Sequence, residues 1–271
     1  MFFYWASMIA FFVYLYIPTF KWMYGRYTAV DTYYSHGFLV PFVSGILIWQ
    51  KRKTIEQLPF DYTWWGFALI VIALLLHIAS SIFYVFFTSG FSIFLFILGM
   101  FLFIFGKTMT EKLLFPLLFL LFMFPIPQNV VAAISFPMKM KVARMGSSLA
   151  GYLGIPVFNS GFYIDTAGGL LLIDEPCSGL RSLIAFVAVG AILAYKSDTT
   201  MNGKVTLFAL AVPISFITNI LRVTFLVVIA SRYGVDAAGP DSWAHELSGY
   251  FIFIFGISAL IILKRVFEWK R

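Results

Sequence analysis

Apolar runs of membrane-spanning character alternate with short polar segments along this whole chain. Residues 2–20 form the first run, followed by a polar, Tyr-rich segment at 21–34. Residues 34–50 form the second, entered through Ser35-His36-Gly37 and closed by Lys51-Arg52-Lys53. The third, 64–87, starts on Trp64 and Trp65, a residue type that anchors helices at a membrane interface. The fourth, 90–105, follows a very short turn, and residues 107–112 form the loop before the fifth, 113–124. That run stops at Pro125-Ile126-Pro127, because proline removes a donor and restricts the residue before it. Residues 128–154 are apolar but carry Lys139, Lys141, Arg144 and Pro137; this pattern predicts an amphipathic helix at the interface, broken near Pro137. Residues 157–174 have strand character, and Thr166-Ala167-Gly168-Gly169 between two such stretches predicts a hairpin. Runs 179–195, 205–230 and 247–263 complete a set of eight, with 232–246 as a polar loop containing Gly239-Pro240. The expected fold is an all-α polytopic membrane protein of about eight transmembrane helices, with an interfacial amphipathic helix and a short extracytoplasmic β-hairpin, in a single domain over 1–271.

Composition agrees. Of 271 residues, 61% are hydrophobic and 11% charged, against about 25% charged in a soluble domain. The net charge of +7 does not mark a nucleic-acid partner, since the basic residues cluster at the ends of apolar runs, where they report topology. Eight spans put both termini on one side, together with Lys51, Arg52, Lys53, Lys107, Lys112, Lys196, Lys204, Lys264, Arg265, Lys270 and Arg271. The other side holds Lys21, Arg26, Lys139, Lys141, Arg144 and Arg232, so eleven against six makes the termini cytoplasmic. The hairpin and residues 232–246 are then extracytoplasmic. The first run lacks a basic leader and a small-residue cleavage site, and is expected to be retained as a span. A single cysteine excludes an intrachain disulfide and any CxxC metal site.

That cysteine, Cys177, sits in Ile173-Asp174-Glu175-Pro176-Cys177-Ser178-Gly179-Leu180-Arg181, where a polar loop becomes an apolar run. Topology puts Cys177 at the outer surface, with Arg181 one turn deeper. Arg222 lies 18 residues beyond Lys204, about 27 Å of helical rise in a core of ~30 Å. His245 stands two residues before the last run. Cys177, Arg222 and His245 therefore share a depth, which by itself does not make them neighbours. A guanidinium or imidazolium activates a thiolate, an arginine stabilises an oxyanion, and a histidine returns a proton to a leaving amine. Asn219 is placed to share a helical face with Arg222 and orient it. Bland readings stand beside these. A lone cysteine is often a packing residue. Arg222 could form a structural ion pair with Asp174, Glu175 or Glu246, Arg181 could pair with Glu175 or snorkel, and His245 could be a solvated loop residue. His36 could line the site or only cap a helix. His77, in mid-run, is expected to be a hydrogen-bonded packing residue, and Lys139, Lys141 and Arg144 to touch lipid headgroups.

Several segments together resemble the exosortase/archaeosortase family of membrane transpeptidases. Ser35-His36-Gly37-Phe38-Leu39-Val40-Pro41, Phe124-Pro125-Ile126-Pro127 and Leu153-Gly154-Ile155-Pro156-Val157 are similar to that family's early, middle and pre-hairpin segments. Glu175-Pro176-Cys177-Ser178-Gly179-Leu180-Arg181 resembles its cysteine box, Pro213 through Asn219 with Arg222-Val223 its Asn-x-x-Arg box, and His245 followed by Gly249 its last box. Pro176 departs from the alanine that often precedes the cysteine. The resemblance implies a bacterial exosortase in stand-alone form, in the bacterial cell (inner) membrane, with its active site facing the extracytoplasmic side. It implies Cys177 as nucleophile, Arg222 as oxyanion or thiolate partner and His245 as general acid/base, with Asn219, Arg181, Glu175 and His36 in supporting roles and neither metal nor organic cofactor. It implies as partners exported proteins carrying a C-terminal motif such as Pro-Glu-Pro, a transmembrane helix and a basic tail, cleaved through a thioester and transferred to an acceptor, a membrane lipid amine among the candidates, or to water. The rival classes are a transporter or channel lined by Arg222 and His77, whose flux would survive alkylation of Cys177, and a lipid-acting membrane acyltransferase, whose product would contain no peptide.

Overall fold

A computed structural model describes residues 2–29, 32–59, 61–173 and 179–269, with residues 2–9 described by backbone alone. Its contacts divide the chain into two compact units, Met1–Pro127 and Gln128–Arg271.

In the first unit, α1 (Phe2–Thr28), α4 (Trp64–Ile82) and α5 (Phe86–Lys112) are the long helices. Short pieces complete it: a 3₁₀ turn at Ser35–Phe38, α2 (Leu39–Gln50), α3 (Arg52–Ile55) and α6 (Leu114–Phe119), which continues as a 3₁₀ turn through Met123. Helix α1 runs on into the stretch expected as a loop from Lys21, and α5 likewise covers 107–112. The direction of α5 breaks at Gly106, whose φ of 73° and ψ of −179° are non-helical. The polar residues after each apolar run therefore stay helical, since a helix is the element that satisfies its own backbone groups without help from water. Gly66 and Gly99 let α4 and α5 approach closely, because a Cβ on Gly66 would run into the Phe103 backbone.

His77 is 4% exposed; its Nδ1 pairs with Ser89 Oγ at 2.8 Å and its ring lies 4.0 Å from that of Tyr16. Ser89 also bonds Thr19, and Tyr16 bonds Ser92 at 3.0 Å, so a satisfied polar cluster ties α1, α4 and α5 together. His77 has the packing role expected of it.

The second unit holds α7 (Gln128–Tyr152), β1 (Val157–Ser160), β2 (Tyr163–Thr166), β3 (Gly169–Leu172), α8 (Leu180–Lys196), α9 (Met201–Tyr233) and α10 (Trp243–Trp269). The expected break at Pro137 does not occur: α7 is continuous, with Pro137 inside it on the exposed side. A proline removes one helical hydrogen bond, and here the buried positions Val131, Ser135, Val142 and Gly146 hold the helix in place on either side of it. The expected hairpin is present and gains a third strand. The sheet order is β1-β2-β3, both pairs antiparallel, with Tyr163 opposite Ser160 and Leu172. Its buried face carries Ile164 and Leu171, which pack with Ile173 onto Ile220, Val223 and Val227 of α9. Lys139 lies over the Phe162 ring, 4.7 Å from its centroid, joining α7 to the first strand turn. Lower in the unit, Phe186 of α8 is fully buried against α9 and α10, in a slot that only Gly256 leaves open.

Among the described residues, four helices are long and apolar enough to cross a membrane, within 64–82, 86–112, 201–233 and 235–269, and five if 114–123 and 128–152 count as one span. The chain is a mostly helical, multi-pass membrane protein. Reaching eight spans requires counting α1 and two shorter helices as well. With 12 residues, α2 rises only about 18 Å, and α8 with 17 rises about 26 Å.

Candidate active site

Thr200 caps the start of α9 by accepting from the Gly203 amide at 3.2 Å, and the helix then carries Asn219 and Arg222 on successive turns. Asn219 is 1% exposed. Its side chain lies against Gly179, the residue that opens α8 with a φ of 83°. Only glycine takes that left-handed conformation freely, and a methyl group there would meet Asn219 Nδ2 at 2.5 Å. Ser182 completes the turn by donating to the Gly179 carbonyl at 2.9 Å and lies 3.5 Å from Ser215 of α9. Asn219 therefore holds the start of α8, a contact that the expected orienting role toward Arg222 did not include.

Arg222 reaches the other way, to α10. Its Nε donates to Ser248 Oγ at 3.2 Å, and Nη2 approaches the His245 carbonyl at 3.4 Å. Ser248 donates to that same carbonyl at 2.7 Å. The His245 imidazole lies against the Ala238 backbone, and Arg222, Arg181 and Asp241 are the charged side chains close enough to act on it. Arg181 is half-buried, and its Nε makes no hydrogen bond among the described residues. Starting beside Arg222 and Ser248, a cavity of about 350 Å³ runs between α9 and α10, walled by Leu221, Phe225, Phe251 and Phe255.

Cys177 and Glu175, with Asp174, lie outside the described residues. The residues that flank this segment both pack against α9: Ile173 is 1% exposed in the cluster with Ile220 and Val223, and Gly179 is against Asn219. His36 belongs to the first unit. There its imidazole lies against the Phe122 backbone and 6.1 Å from the Tyr34 ring, while Tyr27 donates to the Met123 carbonyl at 2.6 Å. The Ser-His-Gly segment and the stretch leading to Pro125 are thus neighbours within that unit. Sequence reading missed Ser248; its only signal was a polar residue one turn past His245, on the first turns of a membrane helix.

The first turns of α8 and α10 thus meet the middle of α9, which brings an arginine, a histidine and a buried asparagine together in a polytopic helical membrane protein, residue types that acyl-transfer chemistry uses. The comparison with protein families makes this specific. The pattern of the transmembrane exosortase family (Exosortase_EpsH) matches residues 25–262, and the chain belongs to that family. Membership suggests a membrane transpeptidase for sorting signals and is consistent with cysteine peptidase chemistry. No characterised protein and no solved structure matches the chain.

Proposed function

We propose that the chain is a cysteine transpeptidase that cleaves C-terminal sorting signals of exported proteins, with Cys177 as nucleophile, Arg222 as oxyanion or thiolate partner and His245 as general acid/base. The observation that carries the reading is the meeting of two helix starts on the middle of α9: Gly179, which opens α8, lies on Asn219, and Arg222 reaches the first turns of α10 at His245. Cys177 is two residues from Gly179 in the chain, a reach of at most about 7 Å between Cα atoms. Arg222 stands one turn, about 5 Å, along α9 from Asn219.

In the proposed reaction the Cys177 thiolate adds to the scissile carbonyl, and Arg222 stabilises the oxyanion. Collapse breaks the C–N bond, His245 protonates the leaving amine, and a thioester remains. An acceptor amine or water then attacks, and the sulfur leaves to regenerate Cys177. The substrates on this reading carry a short motif such as Pro-Glu-Pro, one transmembrane helix and a basic tail. The apolar groove beside Arg222 supports a lateral seat for that helix, and the half-exposed outer faces of Leu170 and Leu172 support an extended motif beside the sheet. The reading includes a bacterial inner-membrane location with cytoplasmic termini and an extracytoplasmic site.

The test is a secreted reporter fused to such a tail and expressed with this protein. The expected result is a shortened reporter with the native chain and a full-length one with Cys177→Ala, which still inserts into the membrane. Normal shortening by Cys177→Ala removes the nucleophile assignment.

A further inference from the structure

Ser248 is 3% exposed, in the second turn of α10. A serine inside a helix commonly turns its hydroxyl back to a carbonyl three or four residues earlier, and Ser248 does so toward His245 at 2.7 Å. That bond has a second consequence here. A hydroxyl has one hydrogen to donate and lone pairs to accept with. With the hydrogen committed to the His245 carbonyl, the lone pairs are turned toward Arg222 Nε at 3.2 Å. The same carbonyl is approached by Arg222 Nη2 at 3.4 Å. Two nitrogens of one rigid guanidinium are thereby referenced to one turn of α10, which fixes its plane as well as its distance.

We propose that Ser248 is the positioning residue of this site, setting the plane of Arg222 relative to His245 through the closed Arg222–Ser248–His245 hydrogen-bond ring. The inference rests on the reading of Arg222 as partner of the Cys177 thiolate, and extends it to a residue that acts through Arg222. Removing the hydroxyl takes away the Nε acceptor and opens the ring, so that α10 no longer fixes the guanidinium plane at two points. Threonine keeps the hydroxyl and can make the same backbone bond, and position 248 is among those that line the cavity between α9 and α10.

The measurement is the alkylation rate of Cys177 by iodoacetamide as a function of pH, on the full chain in detergent micelles. With one cysteine in the chain the signal is unambiguous, and no substrate is needed. The native protein is expected to titrate below the ordinary ~8.5 of a thiol, and Arg222→Ala to return toward it. Ser248→Ala is expected to alkylate about 3- to 10-fold more slowly than the native protein at pH 7, since one pKa unit is a tenfold change in thiolate. Ser248→Thr is expected to recover the native profile. A merely structural serine would leave the profile unmoved, so a Ser248→Ala curve that overlays the native one while Arg222→Ala departs overturns the role of Ser248 and leaves Arg222 in place. Overlay of all the curves overturns both. A Ser248→Thr curve that follows Ser248→Ala also overturns the proposal, because the hydroxyl would not be the determinant.

Discussion

Gly179→Ala separates two contributions at the start of α8. The first is backbone: at a φ of 83° an L-residue costs roughly 1–2 kcal/mol over glycine. The second is steric. The new methyl would lie 2.5 Å from Asn219 Nδ2 and 2.8 Å from its Cγ, and Asn219 at 1% exposure has no room to retreat. Overpacking of this kind costs about 1–3 kcal/mol. The expected destabilisation is therefore about 2–5 kcal/mol in total, with the two parts separable by a double-mutant cycle. In an Asn219→Ala background the amide is gone and the remaining Cβ contact is relieved by a small shift, so Gly179→Ala should cost only the backbone part, roughly 1–2 kcal/mol. The assay is chemical unfolding in micelles, followed by tryptophan fluorescence for the four proteins of the cycle. A cost below about 0.5 kcal/mol for Gly179→Ala, or an equal cost in both backgrounds, would refute the packing of Gly179 on Asn219.

Two further predictions test the arginine and the first unit. Arg222→Lys keeps the charge but cannot address Ser248 and His245 with one planar fork. Reporter cleavage should fall at least about tenfold, as for the loss of a hydrogen bond to a charged group, with the protein still folded; cleavage within twofold of native would show that charge alone suffices. His77→Phe fills the space but takes away one of the two partners of Ser89, which keeps Thr19, so thermal stability should drop by about 0.5–1.5 kcal/mol with cleavage by the surviving folded protein unchanged; a cleavage defect at full stability would give His77 a functional part instead of a packing one.

Much of this protein was legible in the order of its residues, because in a membrane the pattern of apolar runs and breaks is itself the architecture. Runs 179–195, 205–230 and 247–263 correspond to α8, α9 and α10, and Thr166-Ala167-Gly168-Gly169 to the turn that joins β2 to β3. The boundaries were less legible, since polar residues such as Lys21 and Lys107 do not by themselves end a helix whose backbone is already satisfied. The third strand escaped for a related reason: β1 is four residues long, and only pairing with β2 distinguishes it from a loop.

At the site, sequence alone determined which residue types were available, and the expected eight-span topology offered at most a common depth for Arg222 and His245. Depth is one coordinate, and neighbourhood needs the other two. Only the packing of α8, α9 and α10 decided that Asn219 faces the start of α8 while Arg222 faces α10, because residues three apart on a helix differ by about 60° in direction and can serve different partners. The part played by Ser248 is of the same kind. A serine in an apolar helix carries no signal of its own, and its hydroxyl acquires a direction only when a carbonyl from its own helix and a guanidinium from the next one are brought within hydrogen-bond reach.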